Sequence, residues 1–135
     1  MASKTTESEY LEMLAKSWNN LDVSFIEPVL ADDVVYESQW VLTPLKGKEQ
    51  VLSFLKSKFG TIRDSVALNG MLVLAETGRI PKPGKRPCIV LTQTLGNEIN
   101  RATLLIEIQN KMISRIDVCF IPNPLTAELT GKLIK

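Results

Sequence analysis

Between residues 87 and 121 the chain carries three runs of β-forming residues: Pro87 to Leu95, Glu98 to Ile108 and Met112 to Ile121. Gly96-Asn97 and Asn110-Lys111 sit between them as tight turns. Two-residue connections of Gly and Asn suit the positive-φ turns that match strand twist, so these runs must pair antiparallel as a meander. A fourth β-rich segment, Met71 to Thr77, precedes them across the loop TGRIPKPGKRP. The loop's Arg79, Lys82, Lys85 and Arg86 have no interleaved aromatic residues and read as solvated charges, not as a nucleic-acid platform.

Turns this short also fix register, and directly paired residues share a face. Pairing 95 with 98 and 109 with 112 puts Ile89, Leu91, Gln93, Asn100, Ala102, Leu104, Ile106, Ile113, Arg115, Asp117 and Cys119 on one side. Its aliphatic middle assigns that side to the helices. The other side carries Cys88, Val90, Thr92, Thr94, Arg101, Thr103, Leu105, Glu107, Ser114, Ile116, Val118 and Phe120. Its mixture of threonines, charges and apolar residues suits a homodimer contact through Val90, Leu105, Ile116, Val118 and Phe120. In this register Asp117 lies opposite Leu104 in an aliphatic wall, where a carboxylate must find a partner or keep its proton. Arg115 is the nearest such partner. Cys88 and Cys119 fall on opposite faces, so both are expected as free thiols.

The first seventy residues read as helices around one strand. Leu11, Leu14, Ala15 and Trp18 fall at i, i+3, i+4 and i+7, a single buried helix face, and Thr6 with Glu9 supplies a T-x-x-E start signal. NNLD ends this helix. Asp22 caps a short second helix, VSFIEPVLA, that Pro28 makes irregular and Asp32-Asp33 closes. Val34 to Val41 reads as a strand. After the loop TPLKG, Val51, Leu52, Leu55 and Phe59 form a second helical stripe, with Gly60 as its expected C-cap. Pro122 and Pro124 end the sheet, leaving a tail suited to one helical turn. Helices gathered ahead of a meander define an α+β fold with the helices on one sheet face.

Composition narrows the chemistry. The 135 residues form one domain, 1–135, long enough to bury about two-thirds of the unfolded surface without staples. Sixteen basic and 15 acidic residues leave a net charge of +1, which argues against a nucleic-acid partner. The absence of histidine excludes His-dependent triads, imidazole zinc sites and haem on a histidine. The two cysteines match no zinc spacing, so neither metal nor cofactor is expected. MASKTTESEY has no apolar signal core and no run reaches membrane-spanning length, so no membrane partner is expected and the expected compartment is the cytoplasm.

The stretches NNLDVSFIEPVLADDVVYESQW, LKGKEQVLSFLKSKF and NKMISRIDVCFIP resemble the nuclear transport factor 2-like superfamily, nearest its SnoaL-like and ketosteroid-isomerase-like members. The resemblance spans about Glu9 to Pro122. It implies a cone-shaped α+β roll of cystatin-like architecture: a curved antiparallel sheet with three N-terminal helices packed on its concave face. It also implies a pocket between helices and sheet, and frequent homodimers through the convex face. The strand after Asp-Asp then lines the pocket mouth, with Tyr36, Ser38 and Trp40 alternating onto one face. Ser38 aligns with the isomerases' carboxylate base and Leu14 with their tyrosine donor, so that mechanism does not transfer directly. Asp117 is left as the candidate pocket acid. Trp18, Tyr36, Ser38, Trp40, Gln93 and Arg115 complete the expected site around an apolar small molecule. Three functions stay open: proton-transfer catalysis of an isomerase or cyclase kind through Asp117, a non-catalytic dimeric protein-binding module, and a ligand-binding protein without turnover.

Overall fold

The two short turns form as the sequence requires. In the computed structural model, which describes residues 2–38, 43–80, 86–120 and 128–133, Gly96 has φ 62°, and Asn110 and Lys111 have φ 53° and 63°. The second pair is the double positive-φ turn that right-twisted strands favour. Around these turns β3 (Leu72–Ile80), β4 (Arg86–Leu95), β5 (Glu98–Gln109) and β6 (Met112–Phe120) run antiparallel in chain order. β6 then pairs in parallel with β1 (Leu30–Ser38), which pairs antiparallel with the two-residue β2 (Leu45–Lys46). The curved sheet is therefore mixed, where an antiparallel one was expected. β7 (Glu128–Leu133) lies against β3, replacing the expected helical turn. It satisfies edge N–H and C=O groups of β3 that would otherwise face solvent. The full order is β2-β1-β6-β5-β4-β3-β7.

Two helices cover one face. α1 (Ala2–Asn20) packs on β3, β4 and β5, and α2 (Lys48–Asn69) packs on β1. Leu11, Leu14, Ala15 and Trp18 of α1 are all buried, as their spacing predicts. The helix continues back through Thr6, so the T-x-x-E pair lies inside it; nothing in residues 2–5 breaks a helix. The Asn19 side chain clasps β3, donating to Ala75 O at 3.0 Å and accepting from Ala75 N at 2.7 Å. Asp22 caps the next turn by accepting from Ser24 N, and that bond holds its carboxyl below the ordinary range. Pro28 splits the segment into two 3-10 turns, Val23–Phe25 and Glu27–Val29. Asp32 and Asp33 sit inside β1 instead of ahead of it, exposed where β1 slips its pairing with β6.

α2 runs nine residues past Gly60 and ends at Gly70, whose φ of 69° makes it the true C-cap. Gly60 costs about 1 kcal/mol against alanine in a helix. Burial of Ile62 beyond it, continuing the stripe of Val51, Leu52, Leu55 and Phe59, outweighs that cost.

The largest departure is in β6. Its register starts as expected, with Gln109 opposite Met112 and Ile108 opposite Ile113. The next pair is Glu107 with Arg115. Ser114 is therefore an extra residue on β6, a β-bulge, and its hydroxyl donates to Glu107 O at 3.2 Å. Every later β6 side chain changes face. Ile116 and Val118 pair with Ile106 and Leu104 in the core, and Asp117 pairs with Leu105 on the outer side. Both cysteines also fall on the outer side, and neither is in a disulfide. They sit two strands apart, about 10 Å or more at about 4.8 Å per strand, too far for a disulfide.

Candidate functional site

A cavity of about 220 Å³ lies between the helices and the sheet, lined by Trp18, Tyr36, Ser38, Phe54, Lys58, Leu91 and Val118. Each residue arrives there for a local reason. Trp18 is the last position of the α1 stripe, and its ring meets Phe59 edge-on at 4.9 Å. Tyr36 and Ser38 alternate inward along β1, beside Ile116 and Val118 of β6. Phe54 and Lys58 are i and i+4 on α2 and share one of its faces. Phe54 also packs on Tyr36, centroid to centroid 5.2 Å. Val118 reaches the cavity only because of the Ser114 bulge.

The lining is mostly apolar, with a few polar groups set into it. Burial pushes the Tyr36 phenol well above its ordinary range, so at neutral pH it keeps its proton. Burial pulls the Lys58 ammonium below the usual lysine range, because a low-dielectric wall disfavours the ion. Trp18 is 2% exposed, and among the described residues its buried Nε1–H has no hydrogen-bond partner. Two larger depressions, of about 540 Å³ beside Lys46–Leu52 and about 370 Å³ beside Asn20–Val23, open widely to solvent and mix carboxylates with basic side chains. Enclosure, not size, marks out the smaller cavity.

Three of the expected site residues therefore converge: Trp18, Tyr36 and Ser38. Gln93 is half-buried on the same side as Leu91 but is not among the lining residues. Trp40 lies outside the described residues. Asp117 and Arg115, expected on the helix side, occupy the opposite one. There Arg115 Nε donates to Asp117 Oδ1 at 3.0 Å and Oδ2 at 3.1 Å, and Arg115 Nη2 donates to Glu37. The two carboxylates raise the guanidinium's proton affinity. The cluster is half-exposed, separated from the cavity by the sheet. Ile116 and Val118, expected in a dimer face, are core residues for the same reason. Phe54 and Lys58 escaped the sequence reading, though their i, i+4 spacing beside the buried stripe was visible. Among the described residues no group of three or more Cys, Asp or Glu side chains could hold a metal ion, and no helix is long and apolar enough to cross a membrane.

No family model matches the chain, and no curated protein matches it. Solved structures do. A nuclear transport factor 2-like protein of unknown function from Mesorhizobium loti is 12% identical with a TM-score of 0.65, covering 87% of this chain and 92% of its own. A steroid delta-isomerase from Pseudomonas aeruginosa is 15% identical, TM-score 0.58, covering 87% and 80%. An LEH-like epoxide hydrolase of M. tuberculosis is 16% identical, TM-score 0.59, covering 87% and 84%. A curved α+β roll with an enclosed cavity between helices and sheet is the class these observations define. More particularly, the chain has the fold of the nuclear transport factor 2-like superfamily, as its sequence resemblance implied.

Proposed function

We propose that this chain is a small-molecule-binding protein whose occupant sits in the cavity of Trp18, Tyr36, Ser38, Phe54, Lys58, Leu91 and Val118. The observation that carries the reading is the cavity itself: apolar and aromatic walls with a few polar groups, the usual make-up of a ligand site. Its volume exceeds the 150 Å³ or so that accommodates benzene in an engineered apolar cavity and falls below the roughly 300 Å³ at which drug-sized sites begin. One ring with a short substituent fits. Proton transfer by a pocket carboxylate finds no support, because among the described residues no Asp or Glu lines the cavity. The isomerase and hydrolase activities of the neighbours belong to those proteins, and one fold hosts many chemistries.

The test is a titration of methyl-labelled protein with benzyl alcohol, followed by NMR. Saturable shifts of the Leu91 and Val118 methyls, larger than those of outer-face methyls such as Leu105, are the expected result. Shifts confined to surface methyls, or none at all, would remove the ligand-binding reading.

A further inference from the structure

We propose that the cavity's occupant is a small neutral ring compound whose polar atom is an acceptor oxygen, bound with that oxygen on the Trp18 Nε1–H and its ring against Tyr36 and Phe54. The proposal rests on the ligand-binding reading above and narrows it by hydrogen-bonding sense.

A wall selects a ligand through the polar groups that the protein itself leaves unanswered. Ser38 and Lys58 each already have an interaction partner in the protein, so neither requires a charge or a hydrogen bond from the occupant. Phe54, Leu91 and Val118 offer nothing polar. The Tyr36 hydroxyl donates as well as accepts and fixes no sense. Trp18 does fix one. Its side chain lines the cavity and is buried. Its Nε1–H can only donate, and among the described residues that donor has no partner. Leaving a buried donor unpaired is costly, and an absent bound molecule is one ordinary reason to find one. The Ser17 hydroxyl is also buried without a partner. A hydroxyl on a helix can rotate onto a carbonyl one turn back, whereas the rigid indole ring fixes its N–H and has no such recourse. A carboxylate would also accept from the indole, but burying an ion costs far more than one neutral N–H returns, so a neutral oxygen is the better complement. The volume of about 220 Å³ admits one ring with a short substituent.

The experiment compares acetophenone with α-methylstyrene, probes of nearly the same shape in which a carbonyl oxygen is exchanged for a methylene, on ¹⁵N- and methyl-labelled protein. Both should shift the Leu91 and Val118 methyls. Only acetophenone should move the indole N–H resonance of Trp18 downfield, assigned with a Trp40→Phe variant, as that donor gains an acceptor. Trp18→Phe should weaken acetophenone relative to α-methylstyrene by about tenfold, the scale of leaving one buried acceptor unpaired. Reading the ratio of the two affinities cancels the extra space left by the smaller ring and the probes' different affinities for water. A ratio unchanged by Trp18→Phe, or an indole shift equal for the two probes, would overturn the acceptor proposal; with the cavity methyls still shifting, the ligand-binding reading would stand. Should Trp18→Phe fail to fold, the indole shift in the parent protein decides alone. No cavity shift with either probe would overturn both readings.

Discussion

The two sides of β6 carry opposite chemistry within six residues. Facing the helices, Ile113, Ile116 and Val118 are buried in one apolar core. Facing outward, Arg115 and Asp117 form an ion pair that also takes in Glu37 of β1. Ser114 alone decides which set goes where. Without the bulge, with Ser114 in an ordinary ladder position, strict alternation from Ile113 would bury Arg115 and Asp117 and expose Ile116 and Val118. The comparison teaches that a single bulge can move a carboxylate from the place where it would be an acid catalyst to one where it is a surface ion pair.

The most forceful way to break this comparison is Ile116→Asp. It puts an unpaired carboxylate on the inward side that the bulge defines, at several kcal/mol, against a typical domain stability of about 5–15 kcal/mol. The substitution should abolish cooperative unfolding. A urea midpoint close to that of the parent protein would show that residue 116 faces outward and that the bulge does not set the register.

A milder substitution sharpens the same contrast. Ile116 is fully buried, and Ile116→Ala should cost about 2–5 kcal/mol by denaturant titration. A loss under about 1 kcal/mol would place the side chain outside the core.

The inward face also carries a pH signature. Lys58 has a lowered pKa in the folded state, so between that value and its unfolded value of about 10.4 the unfolded chain binds more protons. Stability should therefore rise with pH through this window. Tyr36 has a raised pKa, so above its unfolded value of about 10 the folded chain holds the extra proton and stability should fall. Lys58→Met should flatten the rise, and Tyr36→Phe should flatten the fall. Thermal melts across the alkaline range would show either limb unchanged if the group is solvated.

Much of this was legible in advance, for identifiable reasons. The two turns fixed three strands, and the α1 stripe with the alternation along β1 brought Trp18, Tyr36 and Ser38 to one place. The bulge was half-visible: in MISRIDVCF the apolar residues after Ser114 fall on the parity opposite to Ile113. A register counted from the turn could not say whether alternation or apolarity would win. Burial won, because hiding Ile116 and Val118 outweighs one lost ladder step. Lys58 and Phe54 flank the α2 stripe, and which flank overlooks a cavity depends on how α2 crosses β1, a tertiary fact. Gly60 looked like a stop because glycine usually is one at a helix end, until Ile62 continues the stripe.

The smallest effect belongs to the outer face. Asp117→Asn removes one carboxylate from a half-exposed pair, worth about 1 kcal/mol or less. Benzyl alcohol affinity should be unchanged, since the residue faces away from the cavity. A tenfold change would return Asp117 to the site.

The central claim is the register of β6 beyond Ser114, and interstrand NMR contacts between β5 and β6 read it directly. The account predicts cross-strand backbone contacts pairing Leu104 with Val118 and Ile106 with Ile116. Contacts pairing Leu104 with Asp117 and Ile106 with Arg115 would contradict it, placing the carboxylate among the core residues and Val118 outside.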